Sequence, residues 1–152
     1  MSSEFEEFNK LLMEEMKRAY SEKAIEYATD SRNVGVLEDA NGSATLVDGH
    51  GDELTLWLKI EEEIIKKATF FTKGCLTIRI AAAALTETVP GKTIKEAMEI
   101  TPKTLRDFIG KTPRKTWHCT VLAIDTLQEA LQNYMIMTVF DKPGNKVIKI
   151  DL

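Results

Sequence analysis

The sequence predicts an α+β fold, with a small three-stranded antiparallel sheet and helices packed on one face of it. Leu or Ile occupies every second position through 54–60, which is typical of a half-buried strand. Candidate strands at 44–47 and 64–72 flank this segment across short turns, which favours an antiparallel meander. Helical patterns dominate the second half, above all at 76–88 and 117–135. Strands followed by helices indicate an α+β domain.

The chain before the sheet is predicted to form one helix over about 4–29. Its apolar residues recur at roughly helical spacing among many Glu and Lys residues. These apolar residues are Phe5, Phe8, Leu11, Leu12, Met16, Tyr20, Ile25 and Tyr27. Residues 30–33 (Asp-Ser-Arg-Asn) predict a loop that leads towards the first strand.

The end of the sheet and the first helix after it are marked by turn residues. Residues 61–63 (Glu-Glu-Glu) predict a polar turn between the second and third strands. Residues 73–75 (Lys-Gly-Cys) then break the strand pattern. The Ala- and Leu-rich run over 76–88 predicts a largely buried helix, which ends at Pro90-Gly91.

Capping signals predict two shorter helices. Thr93, with Glu96 three residues later, has the spacing of a capping box for a helix over 93–99. Thr101 can cap another helix, since Pro102 suits its first position.

The C-terminal part predicts a long helix and then a hairpin. The apolar side of the helix over 117–135 consists of Val121, Leu122, Leu127, Ala130, Leu131 and Tyr134. Residues 137–140 and 147–150 flank an Asp-Lys-Pro-Gly-Asn turn, which predicts an additional β-hairpin within 136–152. The sequence indicates no function for this hairpin.

Length and composition exclude several classes of protein. The 152 residues predict one domain, 1–152, and the net charge of −4 argues against nucleic-acid binding. The longest apolar run, 78–85, is interrupted by Arg79 and is too short to cross a membrane. The acidic start has no secretory pattern, so we expect a cytoplasmic protein whose two cysteines are free thiols.

Every Cys and His residue lies in one of three short stretches at predicted element boundaries: 49–52 (Gly-His-Gly-Asp), 73–75 (Lys-Gly-Cys) and 117–119 (Trp-His-Cys). Such junctions can converge at one end of a sheet, as widely separated metal ligands require. Cys75 and Cys119 are both predicted at helix N-termini, where the helix dipole favours the thiolate. The thiolate is the form that binds metal or attacks sulfur.

Each of these residues also has an ordinary structural interpretation. An isolated Cys is more often a small buried hydrophobic residue than a ligand. The Gly-His-Gly turn is most often only a turn, and Asp48 and Asp52 would then stabilise its backbone. The chain has no CxxC or HExxH motif, so spacing alone does not establish a metal site.

A series of short segments, in a specific order and spacing, indicates a family. The segments are Tyr20-Ser21-Glu22-Lys23, Arg32-Asn33-Val34-Gly35, His50-Gly51-Asp52, Phe71-Thr72-Lys73-Gly74-Cys75, Leu85-Thr86-Glu87, Gly91-Lys92-Thr93, His118-Cys119-Thr120-Val121-Leu122-Ala123 and Ala130-Leu131. The series, over about residues 20–134, resembles the IscU and NifU N-terminal domain family of iron–sulfur cluster assembly scaffolds. That resemblance implies the α+β fold already predicted.

The resemblance also implies a metal site. Cys75, Cys119, Asp52 and His118 match family positions, and His50 occupies the position of the remaining cysteine. Imidazole can ligate a [2Fe–2S] cluster, and zinc accepts the same donors, but His50 cannot hold a persulfide.

The function implied is a non-enzymatic scaffold that holds a labile [2Fe–2S] cluster, or its iron or zinc precursor. The resemblance implies a cysteine desulfurase as sulfur donor and apo iron–sulfur proteins as acceptors. Handling by a chaperone stays open, because residues 113–116 (Pro-Arg-Lys-Thr) differ from the loop that a chaperone recognises in some members. Two alternatives are a zinc-dependent persulfide acceptor and a divergent member with a structural metal or an interaction role.

Overall fold

The computed structural model describes residues 2–30 and 32–140. Its elements, in chain order, are α1 (Ser2–Ala19), α2 (Glu22–Thr29), β1 (Gly42–Val47), β2 (Glu53–Glu61), β3 (Ile64–Lys73), α3 (Leu76–Thr88), α4 (Ile94–Met98), α5 (Pro102–Ile109), a 3-10 turn (Arg114–Thr116) and α6 (His118–Phe140). None of the helices in these two ranges has the length and apolar character needed to cross a membrane.

The three strands form one antiparallel sheet in the order β1-β2-β3. The turn between β2 and β3 places Glu62 and Glu63 at positive φ, 54° and 65°, which suits the right-handed twist of a tight hairpin. The predicted meander and α+β class are therefore confirmed.

The core lies between one face of the sheet and the helices α3 and α6. Leu54, Leu56, Leu58 and Ile60 point into it from alternate positions of β2 and are fully or almost fully buried. Gly42 allows α6 to approach β1 closely, since a Cβ at this position would lie 2.9 Å from the Ala130 carbonyl oxygen. This contact fixes the middle of α6 against the first residue of β1.

The predicted single helix over 4–29 is wrong, because the chain contains two helices. Ser21 has extended backbone angles (φ −65°, ψ 161°) and caps α2, with its Oγ accepting a hydrogen bond from the Ala24 N–H at 3.0 Å. The same hydroxyl donates to the Ile109 carbonyl oxygen at 2.7 Å. A serine side chain that satisfies a helix N-terminus competes with continuation of the preceding helix.

The predicted hairpin is wrong in its first strand, because residues 137–140 form the last turn of α6. The Thr138 hydroxyl donates to the Tyr134 carbonyl oxygen at 2.9 Å, as in a continuing helix. The sequence contains no Gly or Pro between His118 and Pro143, so neither helix breaker ends α6 before residue 140. The second predicted strand, 147–150, lies outside the described residues.

Candidate metal centre

Three segments meet at one end of the sheet, as their predicted positions at element boundaries suggested. The β1–β2 turn is closed by the Asp48 N–H, which donates to the Asp52 carbonyl oxygen at 3.0 Å. Cys75 is the N-cap residue of α3, directly after β3. His118 and Cys119 begin α6. The strand ends and the two helix starts therefore supply every donor group described below.

The two thiols are neighbours. Cys75 Sγ and Cys119 Sγ lie 3.2 Å apart, and each lies 3.5 Å from Asp52 Oδ2. Cys119 is buried and Cys75 is partly exposed. A buried carboxylate beside two thiols is an arrangement expected for a metal site, because the negative charge of the deprotonated thiols would otherwise be unfavourable there.

Asp52 is held in position by backbone groups. Its Oδ1 accepts a hydrogen bond from the Cys75 N–H at 2.9 Å, which leaves Oδ2 directed at the thiols. Gly74, at φ +131°, leaves the space for this carboxylate, since a Cβ there would lie 2.0 Å from Asp52 Oδ1. The Gly74-Cys75 pair thus both admits the carboxylate and orients it.

His118 completes the cluster. Its Nδ1 lies 3.4 Å from Asp52 Oδ2 and 3.9 Å from Cys119 Sγ. Within the described parts of the chain, Asp52, His118 and Cys119 offer donor atoms that all lie within 4.8 Å of one another. Cys75 joins them through its short contacts with Cys119 and Asp52.

The spacing of these donors suits a tetrahedral ion. The five distances given above among Asp52, Cys75, His118 and Cys119 run from 3.2 to 3.9 Å. Tetrahedral zinc with donors at about 2.0–2.3 Å requires donor–donor distances of about 3.3–3.8 Å. Asp52, His118 and Cys119 therefore have the spacing of donors around one ion, whereas the Cys75 side chain and the His118 ring must move to complete a tetrahedral set.

Asp48 is a site residue that the sequence did not single out as such. Its Oδ1 accepts hydrogen bonds from the His50 N–H at 2.9 Å and the Asp52 N–H at 3.1 Å, and its Oδ2 contacts His118 Nδ1 at 2.8 Å. Burial raises the pKa of Asp48, but the hydrogen bonds from His118 and the two backbone amides outweigh it and lower this pKa below its ordinary value. An Asp that bonds the amide two residues later is the ordinary signal of such a turn.

His50 contacts the site through its ring face. The rings of His50 and His118 are stacked, with centroids 3.8 Å apart and planes inclined by 20°. The structure thus places His50 beside the other four residues named from the sequence. That its imidazole nitrogen ligates a metal stays a prediction.

The expected thiolate at Cys119 is wrong for the arrangement described. Burial raises the pKa of the Cys119 thiol, and the neighbouring Cys75 and Asp52 raise it further. The positive end of the helix dipole lowers a thiol pKa, but here this effect is smaller than the increase caused by burial and by two neighbouring acidic groups. A bound cation would reverse this balance, since a coordinating thiol loses its proton.

The segment that contains the site matches a known protein family. Residues 19–140 match the NifU-like N-terminal domain family. The chain belongs to this family. The NifU-like match contains β1–β3 and all the donor residues described above, and it begins at the last residue of α1.

Relatives of this NifU-like domain are similar over most of its length. The iron–sulfur cluster assembly scaffold protein IscU 1 of Archaeoglobus fulgidus is 35% identical, over 76% of this chain and 76% of that protein. IscU of Aquifex aeolicus is 36% identical, over 80% of this chain and 79% of that protein. The nitrogen fixation protein NifU of Azotobacter chroococcum is 35% identical over 82% of this chain, but this match covers 42% of that longer protein.

Solved structures share the fold of this NifU-like domain. The N-terminal part of a NifU-like protein from Brucella abortus superposes with a TM-score of 0.63, at 16% identity, over 78% of this chain and 95% of that chain. A putative scaffold protein of the SUF system from Fervidobacterium islandicum gives a TM-score of 0.61, at 23% identity, over 75% and 97% of the two chains.

Proposed function

We propose that this chain is a scaffold on which iron–sulfur clusters are assembled and from which they are transferred. The observation that supports this most directly is the pair of thiols 3.2 Å apart beside the Asp52 carboxylate. It occurs in a member of a family whose relatives are named as iron–sulfur scaffolds. The cluster is cargo, so a site suited to both binding and release is required.

The donors divide into strong and weak ligands. Cys75 and Cys119 would anchor the cluster as thiolates, the ligands that iron–sulfur clusters use most. His118 and His50 would supply imidazole nitrogens, as in clusters with mixed ligation. Asp52 would be the ligand that leaves first, because a hard carboxylate oxygen is a poor match for a soft cluster.

The proposal includes partners and a compartment. A cysteine desulfurase would supply sulfur, and apo iron–sulfur proteins would accept the finished [2Fe–2S] cluster. The reaction would take place in the cytoplasm or another reducing environment, because two thiols at 3.2 Å would otherwise be exposed to oxidation. Zinc or iron alone would occupy the donors before the cluster is built.

Anaerobic reconstitution tests this proposal. The purified protein is incubated with ferrous iron, cysteine and a cysteine desulfurase, and its visible spectrum, iron and sulfide are measured. We expect thiolate-to-iron charge-transfer bands and about two irons and two sulfides per site. Cys75→Ser and Cys119→Ser should each lose the bands, whereas Asp125→Asn, a change on the exposed side of α6, should keep them. A wild-type protein that stays colourless would contradict the scaffold.

One observation favours a second candidate, a zinc-bound acceptor of persulfide sulfur. Asp52, His118 and Cys119 have the spacing of donors around one ion, and zinc is an ion that commonly takes Cys, His and carboxylate ligands. This candidate predicts one tightly held zinc and transfer of radiolabelled sulfur from the desulfurase to Cys75 or Cys119, without cluster formation. The reconstitution experiment distinguishes it from the scaffold by the sulfide content.

A further inference from the structure

The N-terminal helix α1 lies outside the family domain and has an uncovered apolar face. The family match begins at residue 19, so α1 (Ser2–Ala19) precedes it almost entirely. Phe5 is 67% exposed, Phe8 61% and Leu12 50%, although all three belong to a regular helix. Exposed aromatic and aliphatic side chains on one helix face indicate a binding surface.

These residues form a continuous stripe, which we call the α1 stripe: Phe5, Phe8, Leu12, Met16 and Ala19. Their spacing of three and four residues places them on one side of the helix. Within the described residues, Phe5, Phe8 and Leu12 are exposed, whereas Met16 and Ala19 are partly buried. A helix of this length is only marginally stable without packing on its apolar face. A partner that covers the stripe would therefore stabilise α1.

We propose that the α1 stripe binds the α1 stripe of a second copy of this chain, in an antiparallel pair. The charges beside the stripe support this arrangement. Glu4, Leu11 and Arg18 recur every seven residues along one edge of the stripe, so they occupy equivalent positions. An antiparallel pair brings Glu4 of each copy to Arg18 of the other and Leu11 to Leu11. A parallel pair would instead place Glu4 beside Glu4.

The same alignment packs the apolar residues of the stripe. When position 4 faces position 18, Phe8 of each copy lies in the same layer as Leu12 of the other. The surface is thus complementary to itself, as a two-fold symmetric interface requires. A second copy is also favoured over a different protein as partner, because this chain supplies both the Glu4 and the Arg18 of each pair.

The small size of the surface favours a weak pair. The open part of the stripe with Leu11 exposes about 400 Å² of apolar area per copy, and two copies with their polar edges approach the roughly 1,000 Å² of a weak specific interface. Glu15 lies on the same face and forms an ion pair with Arg18 of its own chain at 2.7 Å, which limits the apolar contact to the central turns. We therefore expect dissociation constants in the micromolar range.

Sedimentation equilibrium of the full chain from about 1 to 200 µM tests the proposal. We expect a reversible monomer–dimer equilibrium, which Phe8→Glu should weaken at least tenfold. Met13→Glu is the matched control, because Met13 is 41% exposed but lies about 160° around the helix from Leu11, on the side away from the edge formed by Glu4, Leu11 and Arg18. A wild-type protein that stays monomeric, or a dimer that Phe8→Glu leaves unchanged, would overturn the proposal and leave the stripe for another partner.

Charge reversal tests the direction of the pair. Glu4→Arg and Arg18→Glu should each weaken self-association about tenfold, since each replaces two cross pairs with two repulsions. A mixture of the two variants restores opposite charges at every cross pair, so it should form a heterodimer of wild-type strength. Failure of the mixture to associate would exclude the antiparallel pair, whatever the metal content of the protein.

Discussion

Gly74 and Asp52 share one small volume of the site, since a Cβ at residue 74 would lie 2.0 Å from Asp52 Oδ1. The carboxylate is the group that links the β1–β2 turn to the start of α3, through its hydrogen bond from the Cys75 N–H. Any side chain at 74 must therefore displace the one oxygen ligand of the proposed site. The relationship leads to a mutational test that separates backbone strain from loss of the ligand.

Gly74→Ala should lower metal affinity by about 10- to 100-fold, as expected when the groups that orient a metal ligand are disturbed. Competition with a chromophoric zinc chelator measures the affinity. Gly91→Ala is the matched control, because Gly91 also has a positive φ, +91°, but has open space around its Cβ position. Both variants should lose similar stability from backbone strain, and only Gly74→Ala should lose metal. Equal metal affinity in the two variants would mean that Asp52 is not a ligand.

Asp48→Ala should weaken zinc binding by about 10- to 100-fold, although Asp48 is not among the proposed ligands. The change removes two hydrogen bonds that shape the turn before Asp52. It also removes the contact of Asp48 with His118 Nδ1, but this is the nitrogen that faces the other donors, so the expected loss of affinity comes from the turn. The chelator competition is again suitable, with Asp39→Ala, an exposed Asp in the preceding loop, as control. Unchanged affinity in Asp48→Ala would show that the turn and His118 keep their positions without it.

His50→Phe should separate the two proposed kinds of cargo. Phe preserves a flat ring for stacking on His118, so we expect zinc binding to change less than threefold, within the range of weak surface contacts. The retention time of the [2Fe–2S] cluster should fall, because the proposed cluster ligands include His50, whereas the donors proposed for zinc are Asp52, Cys75, His118 and Cys119. Zinc titration and the decay of the visible spectrum measure the two effects. A variant that retains the cluster as well as wild type would exclude His50 as a cluster ligand.

Oxidation of the protein without metal should join Cys75 and Cys119 in a disulfide. Their Sγ atoms are 3.2 Å apart, and a bond of about 2.05 Å requires only a small movement. Diamide supplies the oxidant, and thiol titration before and after treatment, with mass spectrometry, detects a loss of two thiols. Prior loading with zinc should protect both thiols. If zinc gives no protection, the two cysteines do not ligate it together.

Ser21→Ala should destabilise the fold by about 1–2 kcal/mol, as expected for loss of an N-cap whose hydroxyl also bonds a distant carbonyl. Urea unfolding measures the free energy of unfolding. Ser43→Ala, in an exposed position of β1, should change it by less than about 0.5 kcal/mol. Zinc affinity should be the same in both variants, because Ser21 does not contact the site. A large fall in zinc affinity in Ser21→Ala would show that α2 supports the donors.

Much of this structure was predictable because strong local signals agreed with the final packing. The alternation through residues 54–60 fixed the buried face of β2, and Thr93 with Glu96 forms the capping box that its spacing suggested. The break at Ser21 was missed because apolar spacing continued across it, and only the hydroxyl's hydrogen bonds end one helix and begin the next. Residues 137–140 were predicted as a strand because several of them favour β structure, but they continue the long helix α6.

The candidate site was predictable in composition but not in geometry. Boundary positions and the family resemblance brought His50, Asp52, Cys75, His118 and Cys119 together, and the structure places them at one end of the sheet. The role of Asp48 depends on contact with a residue 70 positions away, which local patterns do not report. The raised pKa of Cys119 likewise depends on burial and on neighbours from other elements.

The β1–β2 turn differs from the other two segments of the site in how it is attached. Cys75 and Cys119 belong to helices whose bodies are buried in the core, whereas Gly49 and Gly51 flank His50 with open space around their Cβ positions. Outward movement of this turn would take the Asp52 carboxylate and the His50 imidazole away from the cargo while both thiols stay in place, once Asp52 releases the Cys75 N–H and Asp48 releases His118. The rate of delivery would then be set by the dynamics of five residues and not by the stability of the whole domain.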